Sequence, residues 1–181
     1  MTGVSKARPV AEYVKMLLSA GEKVLLAGWH RDVYDVWLEE LAPWNIVLYT
    51  GTESPKQKED SKQAFIHGDS QCMAISLRSG AGMNGLQDVC DLVVFGEWDW
   101  SPLVHHQLTG RLRRDREDGK KNRVTAIHLA SNYGSDPLMI DLHGLKSSQS
   151  SGIIDPLATA KTVNSDEGRI KQLAKRYLEG K

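Results

Sequence analysis

This sequence of 181 residues has only two cysteines, no net charge and no apolar run long enough to cross a membrane. Two cysteines are too few for a disulfide scaffold, which favours a reduced, intracellular setting. The totals of 23 basic and 23 acidic residues exclude the uniformly basic coat of a histone-like protein, but they permit a local basic stripe. Spanning a bilayer takes roughly 18 apolar residues, and the first ten residues lack the apolar core of a secretory signal. We therefore expect no membrane partner.

The sequence also lacks the common signatures of nucleotide and metal binding. No G-x-x-x-x-G-K-[ST] segment occurs, so the chain has no Walker A loop to cradle the phosphates of ATP. The first strand–helix turn, near Trp29, lacks the glycines of a dinucleotide-binding fold. The adjacent His105 and His106 would diverge by about 100° on a helix and could not chelate one ion together. We predict no metal site.

What the sequence does contain is an alternation of short apolar strands with amphipathic helices. The strand-like segments are nearly continuous in apolar residues, as expected for strands covered on both faces, and lie at residues 23–27, 46–49, 72–76, 92–95 and 124–129. Typical helix starts, in which a capping residue precedes proline, occur at Ser54-Pro55, Ser101-Pro102 and Asp136-Pro137. This alternation predicts an α/β fold with a mostly parallel sheet.

The composition changes near the C-terminus. Residues 144–165 include the segment KSSQSSG and are predicted to form a polar linker. Apolar residues then recur at helical spacing, which predicts an amphipathic helix over 166–181. The folded domain is accordingly assigned to residues 1–143.

The most informative motif is QLTGRLRR at residues 107–114, on the helix that begins after Ser101. Arg111 and Arg114 are three residues apart and would share a helix face, where two guanidinium groups can clamp a polyanion. Spacing alone leaves another interpretation open, namely a solvated basic helix end that the helix dipole favours.

A second motif, SLRSGAGMNGLQ at residues 76–87, follows a predicted strand and is expected to open a helix. Its three glycines permit close approach of the backbone to a ligand, and free N–H groups at such a turn favour phosphate. A purely structural turn would have the same pattern, so both interpretations stay open.

Together these segments resemble the C-terminal motifs of helicase superfamily 2. QLTGRLRR resembles motif VI, Q-x-x-G-R-x-x-R, and SLRSGAGMNGLQ resembles motif V. Motif IV is resembled by residues 23–41, KVLLAGWHRDVYDVWLEEL, and the segment that follows motif IV is resembled by residues 48–65, LYTGTESPKQKEDSKQAF. The W-N-P-x-x-x-x-Q run of SWI/SNF-type translocases is resembled by residues 97–107, EWDWSPLVHHQ. Order and spacing agree over about residues 6–135. The serine in place of asparagine at 101, the one-residue gap in motif V and the lack of H-R-I-G-Q after motif VI indicate a divergent member, of phage or bacterial type.

The resemblance implies a C-terminal RecA-like lobe, a three-layer α/β domain with about five to six strands flanked by helices. Its partner would be the N-terminal RecA-like lobe with Walker A and B, so ATP and Mg²⁺ would bind only in the assembled pair. The chain would be a separated lobe, an excised piece or a subunit that is inactive alone.

The implied function is ATP-dependent translocation on nucleic acid, with double-stranded DNA favoured, in the cytoplasm of a bacterial or phage-infected cell. The alternatives are a non-catalytic nucleic-acid or protein interaction module with this fold, and an unrelated α/β nucleotide-binding enzyme.

The resemblance also assigns roles to individual residues. The implied catalytic residues are Gln107, Arg111 and Arg114, with Arg114 as the arginine finger. The implied ATP-binding residues are Gly82, Asn84, Gly110, Arg111 and Arg114. The implied contacts to the nucleic-acid backbone come from Thr50, Gly51, Thr52, Arg78 and Ser79, with added charge from Lys56 or Lys58.

Overall fold

Strands and helices alternate along the part of the chain that this computed structural model describes, which comprises residues 2–79, 84–113, 119 and 123–144. The helices are α1 (Thr2–Ser19), α2 (Arg31–Glu40), α3 (Pro55–His67) and α4 (Pro102–Leu112), and residues 136–144 form a further helix, α5. The strands are β1 (Val24–Gly28), β2 (Val47–Tyr49), β3 (Cys72–Ser76), β4 (Leu92–Phe95) and β5 (Thr125–His128). The segments 145–165 and 166–181 lie outside the described residues, as do Gly82 and Arg114. None of the described helices combines the length and apolar character that crossing a membrane requires.

All five described strands are parallel and form one sheet in the order β2-β3-β1-β4-β5. The central strand is β1, in which Val24 lies opposite Cys72 of β3 and Leu92 of β4. The five predicted strands are thus confirmed, and so is the predicted α/β class.

Alternate residues of β1, β2, β3 and β4 face two separate cores, which gives the domain three layers, whereas most of β5 is exposed. On one side, Val24 and Leu26 pack with α1 and α2, where Trp37 is fully buried. On the other side, Leu25 and Phe95 pack with α3 and α4. A strand covered on both faces needs apolar residues at every position, and this explains the continuous apolar runs in the sequence.

Two local signals in the sequence set helix starts as predicted. The Ser54 hydroxyl accepts a hydrogen bond from the Gln57 N–H at 3.3 Å, and the Gln57 side chain accepts one from the Ser54 N–H at 2.9 Å. This reciprocal capping box starts α3, with Pro55 in the first turn. The helix α4 also starts after Ser101 as predicted, with Pro102 in its first turn, but the Ser101 side chain makes no capping hydrogen bond. That helix ends at Leu112.

The segment after β3 differs from the prediction. Instead of opening an α-helix, its described part forms one turn of 3₁₀ helix, Leu86–Asp88, preceded by Gly85 in a left-handed conformation. Only residues 86–91 lie between Gly85 and the start of β4, and this is too short a stretch for a regular α-helix.

The connections leave β1 and its two neighbours toward opposite faces of the sheet. The chain from β1 enters α2 on one face, whereas the chains from β3 and β4 lead to Leu86 and to α4 on the other. Such a divergence opens a crevice at the carboxyl ends of the strands, where open α/β sheets bind ligands. We call this side of the sheet the carboxyl edge.

A cluster of aromatic rings and histidines fixes α4 against β5 and α5. His105 of α4 is 4% exposed, and the centroid of its ring lies 4.6 Å from that of Phe95, 5.2 Å from that of His128 and 4.8 Å from that of His143. Its Nε2 accepts a hydrogen bond from the Asp99 N–H, while Nδ1 is buried without a hydrogen-bond partner in the described part of the chain. Burial, and then the neighbouring His143 and His128, lower the pKa of His105 to about 3.

This cluster predicts a loss of stability in mild acid. Because the pKa of His105 is lower in the folded protein, its contribution to stability is lost as the pH falls below the unfolded value near 6.5. For one such group the expected loss of unfolding free energy between pH 7 and pH 5 is about 2 kcal/mol. His128, whose pKa is lowered by burial, acts in the same direction. Urea denaturation at the two pH values measures the loss.

The test compares His105→Gln with His67→Gln, which alters an exposed histidine at the end of α3. The first variant should lose less stability than the parent on acidification, and the second should lose as much as the parent. An unchanged pH dependence in His105→Gln would show that the buried imidazole is not responsible.

Candidate functional site

The candidate site is the crevice at the carboxyl edge, where cavities open on both sides of β1. A cavity of about 410 Å³ is lined by the segments that follow β1, β2 and β3, including Trp29, Arg31, Thr50, Thr52 and Ser76. A smaller one of about 250 Å³ lies toward β4, between His30, Glu97 and the N-terminal turn of α1. The sheet topology thus brings together residues that are far apart in the sequence, such as Trp29 with Ser76 and His30 with Glu97.

Thr50, Gly51 and Thr52 line the larger cavity, but their polar groups already have a partner inside the protein. The Glu53 carboxylate accepts hydrogen bonds from the Thr50 N–H at 2.5 Å, the Thr50 hydroxyl at 3.0 Å and the Thr52 hydroxyl at 2.8 Å. Partial burial raises the pKa of Glu53, but these hydrogen bonds outweigh burial and hold the pKa below its ordinary value. Glu53 is therefore an anion at neutral pH.

The segment that follows β1 adds two residues that the sequence analysis did not select. Trp29 is 44% exposed, and Arg31 is exposed at the start of α2. The guanidinium of Arg78, from the segment after β3, lies 5.0 Å from the centroid of a Trp29 ring. The available signal was position, since residues directly after a buried parallel strand meet at one edge of the sheet.

Arg78 is tied to the start of α4 through Asp99. Its Nε and Nη2 each lie 3.1 Å from Asp99 Oδ2. The other carboxylate oxygen of Asp99 accepts a hydrogen bond from the Ser101 N–H at 2.8 Å. Asp99 is 7% exposed, while the Arg78 side chain is 59% exposed. A buried carboxylate therefore orients an exposed cation and begins the next helix.

A second contact joins the same segment to the far end of α4. Arg111 Nη1 donates a hydrogen bond to the Ser79 carbonyl oxygen at 3.4 Å. The segment that carries Arg78 and Ser79 is thus linked to α4 at both ends of the helix, more than ten residues apart in the sequence. The structure brings together Arg78, Ser79 and Arg111 from the predicted site.

The other predicted ATP-binding and catalytic residues lie on the surface where they are described. Gln107 and Gly110 are exposed on α4, and a Cβ atom at Gly110 would meet only open space. Asn84 is exposed before the 3₁₀ turn. Gly82 and Arg114, assigned to ATP, lie outside the described residues.

Glu97 gives the segment after β1 its shape, and the sequence analysis did not identify it. Its carboxylate accepts hydrogen bonds from the Trp29 N–H at 2.7 Å and the His30 N–H at 2.9 Å, and it contacts His30 Nδ1 at 2.7 Å. Glu97 is 4% exposed, and Gly3 of α1 packs so closely against it that a Cβ atom at Gly3 would clash with the carboxylate. These contacts hold Trp29 at the edge of the cavity.

The arrangement can bind an anionic backbone at the carboxyl edge and present polar groups of α4 to a second surface. Arg31 and Arg78 present exposed cationic groups on one side, and the exposed Thr52 lies beside them with its hydroxyl bound to Glu53. Gln107 and Gly110 face outward from α4. The arginines suit binding of an anionic backbone, and the outward polar groups of α4 suit contact with a charged surface.

One curated protein is similar in sequence to much of the chain. No protein-family model matches. The chain is 31% identical over 116 residues to the SWI/SNF-related matrix-associated actin-dependent regulator of chromatin subfamily A-like protein 1 of Bos taurus. The match covers 62% of this chain but spans only 12% of that relative's length.

Solved structures show a similar fold. The C-terminal part of the Fun30 ATPase domain matches with a TM-score of 0.60 and 14% identity, covering 86% of this chain and 45% of that one. The Sulfolobus solfataricus SWI2/SNF2 ATPase C-terminal domain matches with a TM-score of 0.55 and 17% identity, covering 92% and 63%. The predicted RecA-like fold is confirmed. In sequence and in fold, the chain resembles the C-terminal lobe of SWI/SNF-type ATPases.

Proposed function

We propose that this chain is the second lobe of an ATP-dependent translocase that holds the phosphate backbone of double-stranded DNA. The observation that carries the proposal is the double link between the segment after β3 and α4. Arg78 reaches Asp99 at the start of α4, and Arg111 near its end reaches the Ser79 carbonyl. A segment that binds nucleic acid would thereby bear directly on the helix that carries the proposed ATP-contacting residues.

On the nucleic-acid side, the proposed contacts lie along the carboxyl edge. The segment after β1 adds Trp29 and Arg31 to the residues that the family resemblance assigns to this edge. Those residues are Thr50, Gly51, Thr52, Arg78 and Ser79. Hydroxyl groups, arginines and backbone amides are the usual donors to phosphate, and they position a protein without reading base sequence. Exposed Lys56, in the first turn of α3, adds positive charge nearby.

On the ATP side, the nucleotide and Mg²⁺ would be held by the partner lobe with Walker A and B. In the proposed assembly Arg111 and Arg114 would stabilise the charge that develops on the phosphates, and Gln107 would orient an arginine or the attacking water. Gly82, Asn84 and Gly110 would approach the nucleotide closely. This division of work requires α4 to face the partner lobe, and the exposure of Gln107 and Gly110 agrees with it.

The remaining parts of the proposal concern organisation and place. Residues 1–143 would form the lobe, 144–165 a polar linker and 166–181 an amphipathic helix. A translocase on DNA would act in the cytoplasm of a bacterial or phage-infected cell.

The nucleic-acid proposal predicts weak binding that depends on salt and not on sequence. If about two phosphates are neutralised, raising the salt from 50 to 200 mM should weaken binding of a labelled 30-base-pair duplex about tenfold. Fluorescence anisotropy measures this, with a second duplex of different sequence expected within about twofold. Arg78→Ala should weaken binding and reduce the salt dependence.

Arg123→Ala is the matched control, because this exposed arginine precedes β5 at the opposite edge of the sheet. It should bind as the parent does. Equal losses in Arg78→Ala and Arg123→Ala, or strong discrimination between the duplexes, would contradict the proposed interface.

The ATPase proposal predicts that this chain alone does not hydrolyse ATP, since it lacks the Walker A loop. In the assembled two-lobe enzyme, Arg114→Ala should lower kcat by roughly 10³-fold or more with little effect on KM for ATP, because a finger acts in the transition state. Arg114→Lys should not restore kcat, since the planar fork is lost. Steady-state ATPase assays at saturating DNA, with melting curves, measure these effects.

Arg123→Ala again serves as the control and should retain the parent's kcat. Turnover within about threefold of the parent in both Arg114 variants would eliminate the finger assignment. Full DNA binding with no ATPase activity in the assembled pair would instead favour the non-catalytic interaction module.

A further inference from the structure

Three hydrogen-bond donors of the segment after β2 converge on one internal anion. The donors are the Thr50 N–H, the Thr50 hydroxyl and the Thr52 hydroxyl, and all three bind the carboxylate of Glu53. We call these three groups the threonine donors. They belong to residues that line the 410 Å³ cavity at the carboxyl edge.

A phosphodiester resembles a carboxylate in the chemistry that these donors recognise. Each group carries one negative charge spread over two oxygens, and each accepts charge-assisted hydrogen bonds from hydroxyl and N–H donors. Gly51, between the two threonines, is exposed, and a Cβ atom there would meet nothing within 4 Å. Thr52 is also exposed and Glu53 is only partly buried, so a backbone phosphate can approach the Thr52 hydroxyl from solvent once the carboxylate moves away.

The contacts of Glu53 are of a kind that a phosphate can replace. Within the described part of the chain its carboxylate has no salt bridge to a lysine or arginine, and it is held by donors of Thr50 and Thr52 and by its own backbone N–H. Asp99 provides the contrast, because it is buried against Arg78 and also accepts the Ser101 N–H that begins α4. Removing Asp99 would disturb the fold, whereas moving the Glu53 carboxylate frees the threonine donors and the Glu53 N–H.

We propose that Glu53 occupies a phosphate position of the nucleic-acid interface in the free protein and must leave the threonine donors before the DNA backbone binds there. The inference rests on the proposed function and adds to it a competing anion built into the chain. Its consequence is that duplex affinity is set by exchange of one anion for another. Glu53 thereby lowers the affinity of the chain for duplex DNA at the threonine donors.

The experiment measures binding of the labelled duplex to the full chain with Glu53→Ala, Glu53→Gln and the matched control Glu59→Ala. Glu59 is a half-exposed acid of α3 that pairs with Lys62, so its loss changes net charge equally without freeing the threonine donors. We expect Glu53→Ala to bind about three- to tenfold tighter than the parent, Glu53→Gln to show a smaller gain and Glu59→Ala to stay within about twofold. Adding Thr52→Val to Glu53→Ala should remove most of the gain.

A second measurement uses inorganic phosphate and does not depend on duplex binding. Phosphate titrated into Glu53→Ala should shift the backbone amide signals of Thr50 and Thr52 in NMR spectra, and it should leave those of the parent unchanged. The same spectra report whether each variant is folded, and Glu53→Gln serves if Glu53→Ala does not fold.

The outcomes separate this inference from the proposed function. If no variant binds duplex but phosphate shifts the two threonine signals in Glu53→Ala, the phosphate position stands and the proposed function fails. If the parent binds duplex in a salt-dependent way while Glu53→Ala shows no gain and no phosphate shifts, Glu53 is not a competing anion and the inference is overturned. Equal gains in Glu53→Ala and Glu59→Ala would also overturn it, since net charge alone would then be responsible.

Discussion

Parallel strands leave their carboxyl ends at a single edge of the sheet, and this constraint places the candidate side chains on the nucleic-acid side. Central β1 connects to one face while its neighbours β3 and β4 connect to the other, so the crevice opens beside β1. Trp29, Thr52 and Arg78 meet there although they come from three separate segments. Helices cover both faces of the central strands, which leaves their carboxyl ends available for ligands, and the change of connection side at β1 opens the crevice there.

Three carboxylates shape the segments at this edge, and they differ in burial and in the groups that they bind. Glu97 is buried and fixes the backbone after β1, and Asp99 is buried and joins Arg78 to α4. Both buried acids accept backbone N–H hydrogen bonds that set the course of the chain, so we regard them as structural supports. Glu53 is only partly buried and holds threonine donors instead of a cation. Positive and negative groups are thus interleaved along the edge, in keeping with a chain of zero net charge.

The sequence was sufficient for the strands and for the starts of α3 and α4, because those features depend on local patterns. Largely apolar runs marked β1, β2, β3 and β4, a more mixed run marked the exposed β5, and Ser54 with Gln57 marked the capping box. The partners of Arg78 and Glu97 were not predictable, since they join residues 21 and more than 60 positions apart. The family resemblance likewise assigned Thr50 and Thr52 to the nucleic-acid backbone, but nothing in the pattern revealed that Glu53 binds their donors. The α-helix expected after the glycine-rich motif was wrong, because only residues 86–91 lie between Gly85 and β4, and they contain a single 3₁₀ turn.

The most direct test of the account is to map where a DNA duplex contacts the full chain, by following backbone amide signals in NMR spectra during a titration. The account predicts that the signals of the segments after β1, β2 and β3 shift first, and that those of α4 follow through the links at Asp99 and Ser79. Signals at the opposite edge of the sheet, such as Gly68 and Asp91, should stay unchanged. Shifts confined to that opposite edge, or to the outer surfaces of α1 and α3, would contradict the placement of nucleic acid at the carboxyl edge.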